Sequence, residues 1–308
     1  MLQLKGISKS FDRQILKSVN FILKKNEVVG LVGKSGTGKS SILKILSGRL
    51  SADMGSVFWE GQEMPNANEL LIPGYKNITL VDQEFKLDTF HTVEENIRES
   101  ILAWPYQKRE KRIKELLSMF GLTAIANTRA EYVSGGEKQR IAIARSIANY
   151  PDVLLLDEPF SHLDSTLKQR LIEVLMSIRQ KESISILLVS HDPQDILGLC
   201  DSICFVRNKK ISRKYSPKGL YYNLRNIQVA RLFGPLNIIE HNGEEIRFRP
   251  DEFKKSNVEK GIEVDFIESK FFAGLYHSYF SKGQATIVLY AFEPLFNLKY
   301  IEIKHRNT

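Results

Sequence analysis

Val28-Val29-Gly30-Leu31-Val32-Gly33-Lys34-Ser35-Gly36-Thr37-Gly38-Lys39-Ser40-Ser41 decides how the chain is read. The first five residues form an apolar run of the kind that a parallel sheet buries on both faces. Gly33 to Ser40 then keep the spacing G-x-x-x-x-G-K-[ST], and Ile42 to Leu46 open an apolar helical stretch, so the glycines lie between a strand and a helix. Glycines let backbone N–H groups approach an anion, and the helix start that follows attracts negative charge. Lys39 supplies a point charge for phosphate oxygens, and the Ser40 hydroxyl suits Mg2+. Lys34, Ser35, Thr37 and Ser41 complete a candidate nucleotide-binding loop, the plainer reading being an ordinary glycine-rich turn.

Three more apolar runs end in polar residues, and open α/β sheets bind ligands beyond the carboxyl ends of their strands. Val153-Leu154-Leu155-Leu156 runs into Asp157-Glu158, Ile184 to Val189 into Ser190-His191, and Ile78 to Val81 toward Gln83. Two acids at the end of a buried strand are costly unless a cation or a reaction justifies them. Asp157 is expected to hold Mg2+ and Glu158 to act as general base on the attacking water of phosphoryl transfer. Their alternative is to cap the next helix through Ser161. His191 is placed to sense a γ-phosphate, against the alternative of a satisfied core histidine. Gln83 is placed to contact Mg2+ or the water, against that of a surface amide.

From about Glu84 the pattern turns helical, with Thr92-x-x-Glu95 as a capping box and Ile113, Leu116, Leu117 and Phe120 at helical spacing. A second box, Ser134-Gly135-Gly136-Glu137, precedes the helical stretch Ile141 to Ala148. Capping explains Ser134 and Glu137, whereas the two glycines expose N-terminal N–H groups to a second anion. After Phe233 the strands shorten and alternate, as in Ile262/Val264/Phe266 and Ala285/Ile287/Leu289, with a turn at Lys282-Gly283. The expected architecture is α/β, a mostly parallel sheet over 1–232 with a helical subdomain inserted at about 84–136. A small β-barrel of OB type is expected over 233–308.

Bulk properties narrow the class. No apolar run approaches the roughly 18 residues of a bilayer-spanning helix. Met1 to Gly6 alternates polar and apolar residues instead of showing a secretory pattern, so a cytoplasmic protein is expected. Cys200 and Cys204 are the only cysteines and lack partners for a zinc site, so both are expected as buried small hydrophobes. A net charge of +8 suits phosphate-bearing ligands, an anionic surface or nucleic acid.

With these elements in this order, the sequence resembles the ABC ATPase family. Phe11 resembles the aromatic that stacks on adenine, Gly33 to Ser40 the Walker A loop, Gln83 the Q-loop and Val133 to Glu137 the LSGGQ signature. Val153 to Glu158 resemble Walker B, Ser161-His162-Leu163-Asp164 the D-loop, and His191 the switch histidine. The chain departs from the commonest pattern at Phe11, Val133, Glu137 and His162, and none of these removes a catalytic atom. The resemblance implies an active ATPase that binds ATP and Mg2+ and forms a homodimer. Ser134, Gly135, Gly136, Glu137 and Asp164 would then contact nucleotide across the dimer. Phe233-Gly234-x-x-Asn237 and Arg249-Pro250 resemble the passage into the TOBE domain of importer ATPases that serve maltose, polyamine, ferric-iron, sulfate and molybdate uptake. That implies membrane permease subunits, an extracytoplasmic solute-binding protein and a place at the cytoplasmic face of the membrane. A non-transport ABC ATPase acting on ribosomes or DNA is the alternative, but the chain lacks the second cassette, coiled-coil insertion or long basic extension usual there. No nucleic-acid partner is expected.

Overall fold

The structure, a computed structural model, describes residues 1–161, 163–256 and 261–304, so His162 lies outside the described residues. The chain divides into two compact units, Met1–Pro217 and Lys218–Thr308.

In the first unit, β1 (Leu2–Ser10) and β2 (Gln14–Leu23) pair antiparallel on either side of Phe11. β1 buries Leu2, Leu4 and Ile7, a two-residue alternation interrupted by a register shift where Gly6 takes a φ of +63°. The chain then enters β3 (Val28–Val32), buried at every residue, and α1 (Lys39–Leu46). It returns through β4 (Met54–Trp59) and β5 (Gln62–Glu63) to complete a four-stranded antiparallel sheet of order β2-β1-β4-β5. The sequence showed this sheet only as alternation at the N-terminus, because the pairing that unites its two hairpins, β1 with β4, joins residues far apart in the chain.

β6 (Ile78–Val81) leads into the helical segment of α2 (Val93–Glu99), α3 (Tyr106–Met119) and α4 (Gly135–Ile147). The expected box starts α2: Glu95 N–H donates to Thr92 Oγ1 at 3.2 Å, and Thr92 N–H to the Glu95 carboxylate at 2.7 Å. Arg112, 2% exposed, ties α3 to its surroundings. It donates to Ile147 O at 2.9 Å, pairs with Glu182 at 2.8 Å and lies 3.9 Å over the Tyr150 ring. After α4 come β7 (Val153–Asp157), α5 (Ser165–Glu182), β8 (Ser185–Ser190), α6 (Gln194–Leu197), β9 (Ser202–Arg207) and β10 (Lys210–Ile211).

The second sheet has the order β10-β9-β3-β8-β7-β6, parallel from β9 to β6 and antiparallel only at β10. Its central strands carry the apolar runs of the sequence. Val29, Leu31, Leu155 and Leu187 pack with Ile42, Leu43 and Leu46 of α1 and with Leu4 and Leu16 of the antiparallel sheet. Each such buried side chain stabilises by about 1.5–3 kcal/mol, so α1 is held rigidly by both sheets. Cys200 and Cys204 are buried and unpaired, and burial pushes the Cys204 thiol up to about 11.

The second unit starts with α7 (Pro217–Tyr222) and α8 (Ile227–Leu232). Three small antiparallel sheets follow: β11 (Asn237–His241) with β12 (Glu244–Phe248), β13 (Phe253–Ser256) and β14 (Ile262–Glu263) flanking β18 (Tyr300–Ile303), and β15 (Asp265–Phe272), β16 (Leu275–Lys282) and β17 (Ala285–Ala291) in sequence. Ile239, Phe248, Phe280, Ile287, Leu289 and Ile301 share one core. Arg249, fully buried, donates to the carbonyls of Tyr221, Ala230, Gly234 and Pro235 at 2.6–2.8 Å. Burial pulls its guanidinium pKa down, opposed by Tyr221, Glu252 and Asp251. This anchor ties α7 and α8 to the strands that follow them.

Among the described residues no helix is long and apolar enough to cross a membrane.

Candidate active site

Sheet order brings the sequence-selected residues together. β3, β8, β7 and β6 lie side by side and parallel, with Val32 opposite Ser190 and Asp157 opposite Val189. The phosphate-loop candidate, His191, the Asp157-Glu158 pair and the Gln83 segment therefore leave the same edge of one sheet.

The loop after β3 turns through Gly36 at φ +74° and Gly38 at φ +98°. Gly38 is the N-cap of α1 with no side-chain cap, and the first turn has no acidic residue, so those N–H groups are open to an anion. A Cβ on Gly33 would meet Val206 O at 2.7 Å, so only glycine fits where the loop leaves the sheet. Lys39, 6% exposed, folds its ammonium onto the loop and donates to Gly33 O at 2.8 Å and Lys34 O at 3.0 Å. Burial lowers its pKa, and the nearby Glu158 and Asp157 charges oppose that. Thr37 Oγ1 closes the loop by donating to Lys34 O at 2.8 Å, while Lys34, Ser35 and Ser40 are exposed and Ser41 is half-buried.

Asp157 ends β7 and is buried, which pushes its carboxyl above the ordinary value. The Ser40 hydroxyl bonded to it, with the Lys39 and Lys44 charges, pulls the other way, and Glu158 adds to the rise. A buried carboxylate beside a hydroxyl is an all-oxygen pair, and it fits Mg2+, which takes few protein ligands and keeps waters and phosphate oxygens. Among the described residues no cluster of three or more His, Cys, Asp or Glu has metal-site geometry.

Glu158 follows in the left-handed region, φ +51°, where few side-chain-bearing residues settle. Its N–H donates to Val189 O at 3.0 Å, and His191 Nδ1 lies 2.9 Å from Glu158 Oε2. The imidazole is exposed and the carboxylate mostly buried, so a carboxylate and an imidazole sit as a pair beyond the carboxyl ends of β7 and β8.

Other selected residues stand apart from this cluster. Gln83 is exposed in the turn after β6, and Arg145 of α4 pins that turn by donating to Phe85 O at 3.1 Å and Lys86 O at 2.9 Å. Phe11 is 60% exposed, with the Lys9 ammonium 5.5 Å from its ring centre. Asp164 caps α5 by accepting from Leu167 N–H at 2.9 Å. Ser134 caps α4: its hydroxyl and its N–H each donate to Glu137 Oε2 at 2.8 Å, and Glu137 N–H returns a bond to Ser134 Oγ at 3.3 Å. Those bonds hold the Glu137 carboxyl below its ordinary value. Ser134 and Gly135 are exposed and Gly136 is half-buried. Among the described residues no hydrogen bond or ion pair joins residues 134–137 to the loop of residues 33–40.

Sequence reasoning did not single out Gln139, whose amide reaches Glu158, or the ion pair between Lys168 of α5 and Asp195 of α6. Gln139 stood in plain view two residues after Glu137, but only tertiary packing shows which way its side chain points.

A family profile described as ABC transporter matches residues 16–161. The spermidine/putrescine import ATP-binding protein PotA of Clostridioides difficile (strain 630) is 31% identical over 305 residues, covering 90% of this chain and 87% of that one. The chain belongs to the ABC transporter ATP-binding family. PotA of Vibrio cholerae is 33% identical over 244 residues, 78% of this chain, and this ABC ATPase aligns with 63% of its length. Among solved structures, the dimeric post-hydrolysis state of the ATP-binding cassette MJ0796, bound to ADP and Pi, superposes with a TM-score of 0.63 at 28% identity. It covers 71% of this ABC chain and all of its own. A second dimeric MJ0796 structure gives 0.64.

Proposed function

We propose that this ABC ATPase is the motor subunit of an importer that takes up polyamines through separate membrane permease subunits. The observation that carries the reading is the Glu158–His191 pair beside Lys39, Asp157 and Ser40 at the ends of adjacent parallel strands. ATP binds with its phosphates on the bare start of α1 and on Lys39, which gives up its contacts to the loop carbonyls. Phe11 stacks on the adenine. Asp157, Ser40 and Gln83 hold Mg2+, which when bound supplies charge stabilisation to the phosphate oxygens. Glu158 orients and deprotonates the attacking water, and His191 donates an N–H toward the γ-phosphate.

The nucleotide is shared by two copies of the chain. Ser134, Gly135, Gly136 and Glu137 of one copy face the phosphates held by the Gly33 to Ser41 loop of the other, with Asp164 at the junction. Support for this comes from the exposed Ser134 and Gly135 at the start of α4, which among the described residues make no hydrogen bond to their own chain's loop, and from a similar cassette described as dimeric. A cavity of about 590 Å³ supports a partner that senses the site: it lies between β6, leading to Gln83, and Glu99 of α2 with Ala142 and Arg145 of α4. The second unit reads as a TOBE-like accessory domain of OB type. The whole works at the cytoplasmic face of the membrane with an extracytoplasmic solute-binding protein, and polyamine cargo is argued from the relatives' names.

The test is Glu158→Gln, read by phosphate release and by size-exclusion chromatography with ATP. Turnover falls about 10²–10⁴-fold while ATP binding persists and a nucleotide-bound dimer accumulates. Parental turnover would remove Glu158 from its role. Uptake of labelled putrescine by cells that carry or lack the subunit tests the cargo.

A further inference from the structure

Gln139 lies on α4, one turn beyond the Ser134 cap, and is 1% exposed. Its Nε2 donates to Glu158 O at 3.4 Å, while its Oε1 is buried with no partner among the described residues. An amide left half-satisfied in a core is unfavourable relative to an apolar side chain of the same shape. Folding alone would therefore favour methionine or leucine here. The contact that the amide does make falls on a residue held in an unfavourable conformation, since Glu158 sits at φ +51°. Such backbone is strained and persists only where neighbours over-determine it. The neighbours are few. Glu158 N–H is fixed by Val189 O, and Glu158 O accepts from Ser161 N–H at 3.3 Å and Ser161 Oγ at 3.0 Å, both within the same turn. Gln139 is the one donor to that carbonyl from another element among the described residues.

We propose that Gln139 is a positioning residue for ATP hydrolysis: it links the start of α4 to the backbone of Glu158 in the same chain and so sets where the carboxylate points. A displacement of α4, whose exposed tip carries Ser134 and Gly135, is passed to Glu158 through one side chain. The inference rests on Glu158 being the general base.

The experiment uses the full chain with Gln139→Met and, as a second variant, Gln139→Leu, each alone and combined with Glu158→Gln. Steady-state ATP hydrolysis, equilibrium binding of a fluorescent ATP analogue and thermal unfolding are measured. Expected for each single variant is a kcat reduced about 10- to 100-fold, the scale of a misplaced reacting group. KM and nucleotide affinity stay within about twofold, and the unfolding midpoint is unchanged or raised. In the Glu158→Gln background the same change leaves the residual rate within about twofold, because the group being positioned is already absent. Parental kcat in either single variant, or a midpoint that falls together with ATP affinity, overturns the inference while leaving the Glu158 assignment intact. Parental turnover in Glu158→Gln alone overturns that assignment and this inference with it.

Discussion

The two glycine-bearing helix starts of the first unit are finished in opposite ways. α1 begins at Gly38 with no side-chain cap and no acid in its first turn, whereas α4 begins at Ser134 inside a complete capping box with Glu137. The unsatisfied N–H groups of the first need a ligand, while some of those of the second are answered by its own residues. One chain therefore carries an open helix start and a pre-satisfied one. On the proposed function, an anion would bind the first alone and engage the second only across the dimer. The sequence already carries this difference in the Ser134-x-x-Glu137 spacing, which the Gly33 to Ser40 loop lacks.

The sharpest way to break this contrast is at Lys39. Lys39→Ala removes the buried charge from the bare helix start, and ATP affinity falls about 10- to 150-fold, the equivalent of one charged hydrogen bond of about 1.5–3 kcal/mol. Titration with a fluorescent ATP analogue measures it, and unchanged affinity would mean that α1 is not the receptor.

Gly38→Ala is expected to reduce stability by about 1–3 kcal/mol in chemical denaturation, because φ +98° is strained for any side chain and the new Cβ would lie 3.0 Å from Leu16 Cδ2. Gly135→Ala provides the opposite arm. That residue is the first of the helix and has no positive φ, so alanine is accommodated without strain and stability holds while hydrolysis falls. Equal destabilisation in both variants would show that the two helix starts are not finished differently.

Ser134→Ala removes the cap, for an expected loss of about 1 kcal/mol, and Ser134→Thr restores most of it. The denaturation midpoints of both decide, and a null effect would mean that the capping box adds nothing to the fold.

The smallest effect is a pH dependence. Bonds from Ser134 hold the Glu137 carboxyl below its ordinary value, so its contribution is fully present above about pH 4.5 and is lost as pH falls through the lower folded value. The difference in stability between the parent and Glu137→Gln, a few tenths to about 1 kcal/mol at neutral pH, therefore shrinks below that point. Denaturation midpoints compared between pH 3 and pH 7 measure it, and a difference that grows on acidification would reverse the assigned sign.

The legible part of the molecule was the part written in contiguous residues. Val28 to Ser40 showed strand, loop and helix in one line, and Val153 to Glu158 and Ile184 to His191 showed buried strands with polar ends. Parallel central strands bury both faces, so their apolar runs are hard to mistake. The antiparallel sheet was hardly visible, because β1 is half-exposed and pairs with β4 across more than forty residues. The Glu158–His191 contact was foreseen as proximity, not as a bond, since register between β7 and β8 decides it. Gln139 and Arg112 were invisible for another reason: a buried polar side chain inside a helix has no sequence signature until its distant acceptor is known.

Arg249 carries one more consequence, for anyone who wishes to handle the C-terminal unit by itself. Its guanidinium is surrounded by carbonyls from Tyr221 and Ala230 as well as from Gly234 and Pro235. A fragment cut at Phe233 would strand a cation in an apolar interior with half its acceptors missing, and should emerge insoluble or molten. A fragment cut before Lys218 keeps every acceptor, so the place to cut is dictated by a single buried charge.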